Sequence, residues 1–361
     1  MYHLARASAL TARKEQAISY LRKAIYIDNS FDLGHADFES VKGLAGFKNI
    51  IELQKHLANP IINSHRAFSI SDKTAHIEAI TFDNSSGNYY LGAIHSKKII
   101  RREKDGTLKD FTTSAQHGLS SVFGLKADAE RGILWACSSP MREMENYDSS
   151  IQSAVFKFDL LSGQLLQKYL PNDSASDYVF GDLQCNQLGE VFVSDSKNNI
   201  IYKVNEEANQ LDVFYRSEEF WNIQGICFSD DNRSLYISDY IKGPYRLALA
   251  DRELTKLESS FGESLKGIDG LLFYNGSLIA IQNGVTPARV SRYTINSSLD
   301  TLTSIEILDS AHPDFGEPTT GVLIGNSLYY VANSPWGHYD EQYRLKEEEL
   351  TDLVILRNRL K

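Results

Sequence analysis

The sequence predicts a mainly β fold, a six-bladed β-propeller preceded by a short α-helical extension. Three observations predict it. Helical periodicity fills the first sixty residues and then stops. A strand–turn–strand unit follows and recurs six times at near-constant spacing. The chain is also rich in Tyr (19) and Phe (17), side chains that suit strands.

Bulk properties agree with this reading. The 361 residues are 42% hydrophobic and 23% charged, enough to bury a sizeable core and unlike a disordered chain. The net charge of −10 is uneven: residues 1–60 carry about +2 and the remainder about −12. An acidic body repels phosphate backbones, which argues against a nucleic-acid partner. Cys137, Cys185 and Cys227 are odd in number and widely spaced, which argues against a disulfide framework or a zinc cluster. No apolar run approaches ~18 residues, so no membrane span is expected. The chain opens directly into a helical pattern with no leader. Its compartment stays open, cytoplasmic or, if a leader has been removed, periplasmic or secreted.

Residues 2–26 read as two amphipathic helices with a break near Thr11–Lys14; in the second, Ala17, Tyr20, Leu21, Ala24 and Ile25 recur at helical spacing. A third helix is expected from about Phe38 to Leu57, with Pro60 after its end. These residues form an expected helical module over 1–60, and the propeller is expected over 66–361.

After residue 75 a strand unit recurs. Its first strands are HIEAITF (76–82), VFGLKA (122–127), VFGDLQC (179–185), NIQGICF (222–228), GIDGLLF (267–273) and PTTGVLI (318–324). Each is followed by a turn and a second apolar strand such as VFVSD or LYISD. Taking Ala79, Gly124, Asp182, Gly225, Gly270 and Gly321 as equivalent, the separations are 45, 58, 43, 45 and 51 residues. Periods of this length built from strands indicate propeller blades, because a lone small sheet cannot bury both faces and radial stacking can. The spare strand Ala67–Ile70 is expected to close the ring against the last blade.

Residues just ahead of each innermost strand face the channel mouth of such a ring. Here they are Glu78, Phe123, Gly181–Asp182, Gln224, Asp269 and Thr320. Two carboxylates facing one channel repel unless a proton or cation lies between them. With the Gln224 carbonyl, Glu78 and Asp269 form an oxygen-only set suited to a hard divalent cation. The alternative is that each acid pairs with a neighbouring Lys or Arg. Second-strand ends add His95, Ser138, Asp195, Asp239, Asn283 and Asn333, and the loop NGVTPARV adds Arg289. His95 is a candidate base or substrate contact, and Arg289 a candidate holder of either a carboxylate or a blade-to-blade carbonyl. The repeated Ser-Asp steps at Asp195 and Asp239 read instead as turn ties. No P-loop, HExxH, GxSxG or dinucleotide fingerprint is present.

The run HIEAITFDNSSGNYYLGAIHSKKIIRREKDG resembles the opening blade of the gluconolactonase, regucalcin and strictosidine-synthase-like propellers. GEVFVSDS, LYISDY and GIDGLLFYNGSLIAIQNG resemble later blades, and the likeness covers roughly residues 66–360. It implies one divalent metal at the channel mouth, Ca²⁺ first and Mg²⁺, Mn²⁺ or Zn²⁺ as alternatives. Glu78 matches the family's first-blade glutamate ligand. Asp269 matches the aspartate of its D-G step, both ligand and candidate base in the lactonases. Gln224 stands where an asparagine is usual. Gly181, beside Asp182, stands where a further asparagine ligand is common. Tyr2, Ala5, Ala17, Tyr20 and Ala24 resemble one tetratricopeptide-type helix pair.

The expected function is therefore a metal-dependent hydrolase of lactone or ester type. Glu78, Gln224, Asp269 and Asp182 are the metal candidates, Asp269 and His95 the catalytic ones. Arg289, Asn283 and Asn333 are the expected contacts to a small-molecule substrate. The alternative is a non-catalytic ligand- or protein-binding propeller whose residues 1–60 dock a protein partner.

Overall fold

The computed structural model describes residues 1–172 and 177–361. Its first part is helical. α1 (Tyr2–Leu10) and α2 (Lys14–Ile25) form an antiparallel pair, and α3 (Ala45–Leu57) packs on α2. The third helix starts later than its periodicity predicts. Phe38 ends a short 3₁₀ turn over Ala36–Phe38, and Leu44 is extended (φ −74°, ψ 143°). Gly43 lies inside the expected helix, where glycine costs about 1 kcal/mol relative to alanine, and the helix begins only after it. Phe38 and Val41 are nonetheless buried with Tyr2, Leu21, Phe47 and Ile50, in a core made only of residues from the first 57.

The rest of the chain is strands arranged as a propeller. Blade 1 is Ile77–Asp83, Asn88–Ala93, Ile99–Arg102 and Leu108–Asp110, paired antiparallel in sequence order. Four more meanders of the same kind begin at Ser121, Phe180, Ile223 and Ile268. Blade 6 takes Gly321–Ile324, Ser327–Val331 and Leu353–Arg359 from the C-terminal end, and its fourth strand is His65–Ile70 from the other end of the propeller. The ring is thus closed by the spare strand, as expected. The innermost strands touch in succession, and the first touches the last.

The cores lie between blades. Tyr90, Leu125 and Phe156 join blades 1 and 2, and Trp135, Leu183 and Tyr202 join blades 2 and 3. Comparable clusters fill the four remaining seams, the last uniting Ile77 and Leu91 with Ile355. Each blade therefore has both of its faces covered by its two neighbours, which a single four-stranded sheet in water would leave exposed.

The recurring glycine has a packing cause. A Cβ on Gly124 would lie 2.8 Å from the Leu183 nitrogen, and one on Gly225 would lie 2.4 Å from the Asp269 carbonyl oxygen. The innermost strands converge at these points, and only a residue without a side chain admits the neighbouring backbone. The outer strands were not read from the sequence because they carry little signal: Leu108–Asp110, for instance, is exposed throughout. No helix among the described residues is long and apolar enough to cross a membrane.

Candidate functional site at the channel mouth

Each of the first five innermost strands breaks register with its partner near its start. The irregularities fall between Ile77 and Ala79, Val122 and Gly124, Phe180 and Asp182, Ile223 and Ile226, and Ile268 and Gly270. The skipped residues are Glu78, Phe123, Gly181, Gln224 with Gly225, and Asp269. A bulge re-aims a side chain out of the strand alternation. Glu78, Phe123, Gly181, Gln224 and Asp269 accordingly line one cavity of about 400 Å³. Loops complete it with Met141, Asn222, Tyr240, Asn283, Glu317 and Trp336.

Three carboxyls share this cavity, Glu78, Asp269 and Glu317, and none has an ion-pair partner among the described residues. Lys197 also lines the cavity, but its ammonium is paired with Asp177. Glu78 is 5% exposed. Its Oε2 accepts the Ser334 hydroxyl at 2.7 Å and the Trp336 indole N–H at 2.9 Å. Burial, then the Asp269 charge, holds its carboxyl well above the usual range despite those two bonds. Asp269 is partly open to the cavity, and its Oδ2 accepts from Asn283 Nδ2 at 2.7 Å. Burial pushes it up to about 6 against that bond. Glu317 is pushed up to about 7 by burial and by Asp269. The neutral side chains pair separately: Tyr240 donates to Asn283 Oδ1 at 2.9 Å, and Gln224 Nε2 donates to Asn222 Oδ1 at 2.8 Å.

The structure brings Glu78, Gln224, Asp269 and Asn283 together and places four other candidates elsewhere. Asp182 follows the blade-3 bulge instead of occupying it. Its carboxylate accepts the backbone N–H groups of Leu183 (2.7 Å) and Ile226 (3.0 Å), stitching blade 3 to blade 4, and burial pushes it up to about 7. His95 lies outside the cavity lining, where Nδ1 contacts the Glu143 carbonyl oxygen at 2.7 Å and the ring faces Tyr339. Asn333 is turned toward blade 6. It donates to the Asp352 carbonyl at 2.9 Å and accepts from the Val354 N–H at 2.7 Å. Arg289 is buried in blade 5, bonded to Gln282 and to the Ser264 carbonyl. Asp195 and Asp239 do tie turns. The first accepts the Val179 and Lys197 N–H groups, and the second those of Trp221 and Ile241.

The missed cavity residues share one property. Glu317, Trp336 and Tyr240 stand on connections between strands, outside the repeating unit, and Asn222 stands at its very edge, just before the strand Ile223–Phe228. The only available signal was their position just before or after a strand of that unit.

As a cation site, the donor set fits in kind. It offers carboxylate and amide oxygens, with acids whose repulsion no Lys or Arg relieves. It is sparse: among the described residues no group of three or more His, Cys, Asp or Glu is placed to hold a metal. Among the described residues, Glu78 and Asp269 each keep one carboxylate oxygen without a protein hydrogen bond, in the same cavity as the Gln224 amide.

No protein-family model matches the chain, and no curated protein matches its sequence. Solved structures do match its fold. A gluconolactonase from Xanthomonas campestris is 13% identical, with 84% of this chain and 92% of that one covered and a TM-score of 0.56. Virginiamycin B lyase from Staphylococcus aureus is 15% identical over 76% and 82%, with a TM-score of 0.53. A luciferin-regenerating enzyme is 12% identical over 83% and 95%, with a TM-score of 0.56. At such identities the likeness establishes the fold alone, a β-propeller, which among these neighbours serves a lyase as well as a gluconolactonase.

Proposed function

We propose that the channel mouth is a hydrolytic site for a lactone or ester carbonyl. One observation carries this reading: three uncompensated carboxyls line a single cavity, and two of them titrate close to neutrality. Acids and bases tuned to the working pH are what general acid–base catalysis requires. Asp269, raised to about 6, is mostly ionised at pH 7 and accepts a proton from the attacking water. The water oxygen bonds to the carbonyl carbon. Glu317, raised to about 7, is about half protonated at that pH and gives its proton to the leaving alkoxide as the acyl C–O bond breaks. Asn283 holds Asp269 in position, and Tyr240 holds Asn283. Phe123 and Trp336 supply an apolar wall. A divalent cation bound by Glu78, Asp269 and Gln224 would supply Lewis-acid polarisation of the carbonyl.

The test is a panel of aldonolactones and aryl esters with the wild type, Asp269→Asn and Glu317→Gln, each with and without added Ca²⁺, Mg²⁺, Mn²⁺ or Zn²⁺. Turnover that falls at least about a hundredfold in Asp269→Asn supports the assignment. Turnover that is absent throughout, or unchanged in Asp269→Asn, overturns it.

A second reading is favoured by the sparse cation donors: the mouth binds a small polar ligand without turning it over. Saturable binding of an aldonate or sugar to the wild type, lost in Asp269→Asn and accompanied by no hydrolysis on the panel, would establish it.

A further inference from the structure

Arg289 points to a second site. Its side chain is almost sealed, with the residue 4% exposed. Nε donates to Gln282 Oε1 at 3.0 Å and Nη2 to the Ser264 carbonyl at 2.8 Å. Both partners are neutral, and no carboxylate forms an ion pair with Arg289 among the described residues. A buried cation without an anion is costly, and such groups are normally paired. The Tyr293 hydroxyl is a further neutral side-chain partner of the guanidinium, and Nη1 is not one of the walled-in unsatisfied atoms. Arg289 lines a cavity of about 150 Å³ between the helical extension and blade 5. Ile25, Leu53 and Leu57 wall it on the helical side, Pro287 and Ile307 on the blade side.

We infer that this cavity binds a small carboxylate with a compact hydrocarbon body. The carboxylate supplies the anion that Arg289 lacks and accepts from its Nη1. The body fills the apolar walls. A cavity of this volume holds roughly a benzene-sized group, so long-chain acids are excluded. Glu263 also lines the cavity and opposes an anion, which sets a limit on affinity. The occupant touches both units at the point where the chain already joins them, through Asn29 N–H on the Thr286 carbonyl and Thr286 N–H on the Ile27 carbonyl. Binding therefore fastens the helices onto blade 5. The inference is independent of any reaction at the channel mouth.

Benzoate is the probe, titrated into the full chain by calorimetry, with neutral benzamide as its isostere. Saturable benzoate binding is expected, at least about tenfold tighter than benzamide. Glu263→Gln should strengthen benzoate binding, and Arg289→Met should weaken it at least about tenfold. Because Arg289→Met also strips donors from Gln282 and Ser264, Leu57→Trp is the second variant. It fills the cavity from the helical side, leaves Arg289 and its bonds in place, and should abolish binding in a protein that still unfolds cooperatively. Absence of saturable binding, equal affinity for benzamide, or undiminished binding in Leu57→Trp overturns the inference.

Discussion

Trp336 donates its indole N–H to the same Glu78 oxygen that accepts the Ser334 hydroxyl. The bond crosses the seam between the last blade and the first. The Glu78 carbonyl is held across that seam as well, by the hydroxyls of Thr319 and Thr320. The carboxylate at the mouth is thus fixed by the elements that close the ring, so mouth geometry and ring closure are linked.

Trp336→Phe tests that link. The ring stacks on Phe123 at 6.2 Å and meets His76 edge-on at 4.5 Å, contacts that phenylalanine largely keeps. Only the N–H is lost. The buried Glu78 oxygen is left with one donor, at an expected cost of about 1–3 kcal/mol, and its carboxyl moves further above the usual range. Urea unfolding measures the first effect. An unchanged midpoint would mean that the indole does not stabilise Glu78.

Stability should also depend on pH in a defined direction. A carboxyl whose pKa is higher in the folded chain than in the unfolded one binds more protons when folded. Its contribution is fully present below the unfolded value, ~4, and is lost as pH rises through the folded value. Asp269 at about 6 and Glu317 at about 7 place that loss between pH ~4 and about 7, with Glu78 acting in the same direction. His76, held below its usual value by burial, acts oppositely, but only on the acid side of ~6.5. The melting temperature is therefore expected to fall from pH 6.5 to 8.5. The fall should be shallower in Glu317→Gln, and a divalent cation that occupies the mouth should restore it. Melting curves at the two pH values, with chelator and with millimolar Ca²⁺ or Mn²⁺, decide this. Identical curves with and without every cation would show that the acids hold none.

What could be read from the sequence divides along physical lines. The blades were legible because most innermost strands repeat a glycine that has no room for a side chain, as Gly124, Gly225 and Gly270 show against the adjacent backbone. Glu78, Gln224 and Asp269 were legible because the bulge falls at the same point in each unit. Asp182 was misplaced by one residue, since in blade 3 the bulge position is occupied by Gly181. His95 and Asn333 stand at strand ends like Asn283, and spacing alone does not tell which end faces the channel. Glu317 and Trp336 come from connections of irregular length, where no period applies. Arg289 reads equally as the holder of a carboxylate or of a backbone carbonyl, and it is the Ser264 carbonyl that it holds. Its position on the third strand of blade 5 directs it outward, toward the helices.

Another carboxylate that binds distant chain segments is Asp309, which is fully buried. Oδ1 accepts the N–H groups of Asn63 and Ser64, both at 2.9 Å. Oδ2 accepts the Ser64 hydroxyl, the Tyr330 hydroxyl and the Asn358 amide. One side chain thus joins blade 5, blade 6 and the segment that enters the closing strand. Asp309→Ala leaves several buried donors unsatisfied and should cost about 3–5 kcal/mol. Chemical denaturation measures it, and a loss below ~1 kcal/mol would show that water replaces the carboxylate.

Gly225→Ala is the sharpest test of how blade packing sets the site. The added methyl would lie 2.4 Å from the Asp269 carbonyl oxygen and 2.7 Å from the Leu271 nitrogen. Both are backbone atoms, so no rotamer change relieves the contact, and blades 4 and 5 must separate where Asp269 leaves its strand. Overpacking of this kind costs typically 1–3 kcal/mol, and more when the neighbour cannot yield. Gly43→Ala, where a methyl meets nothing within 4 Å, is the control and should not destabilise the chain by more than ~0.5 kcal/mol. The Gly225 variant should lose ligand binding or turnover at the mouth more than its stability loss alone explains, because Asp269 and Asn283 are displaced relative to Glu78. If Gly225→Ala is as stable and as active as Gly43→Ala, the blade 4–5 contact does not position Asp269, and the mouth geometry must be held by the loops.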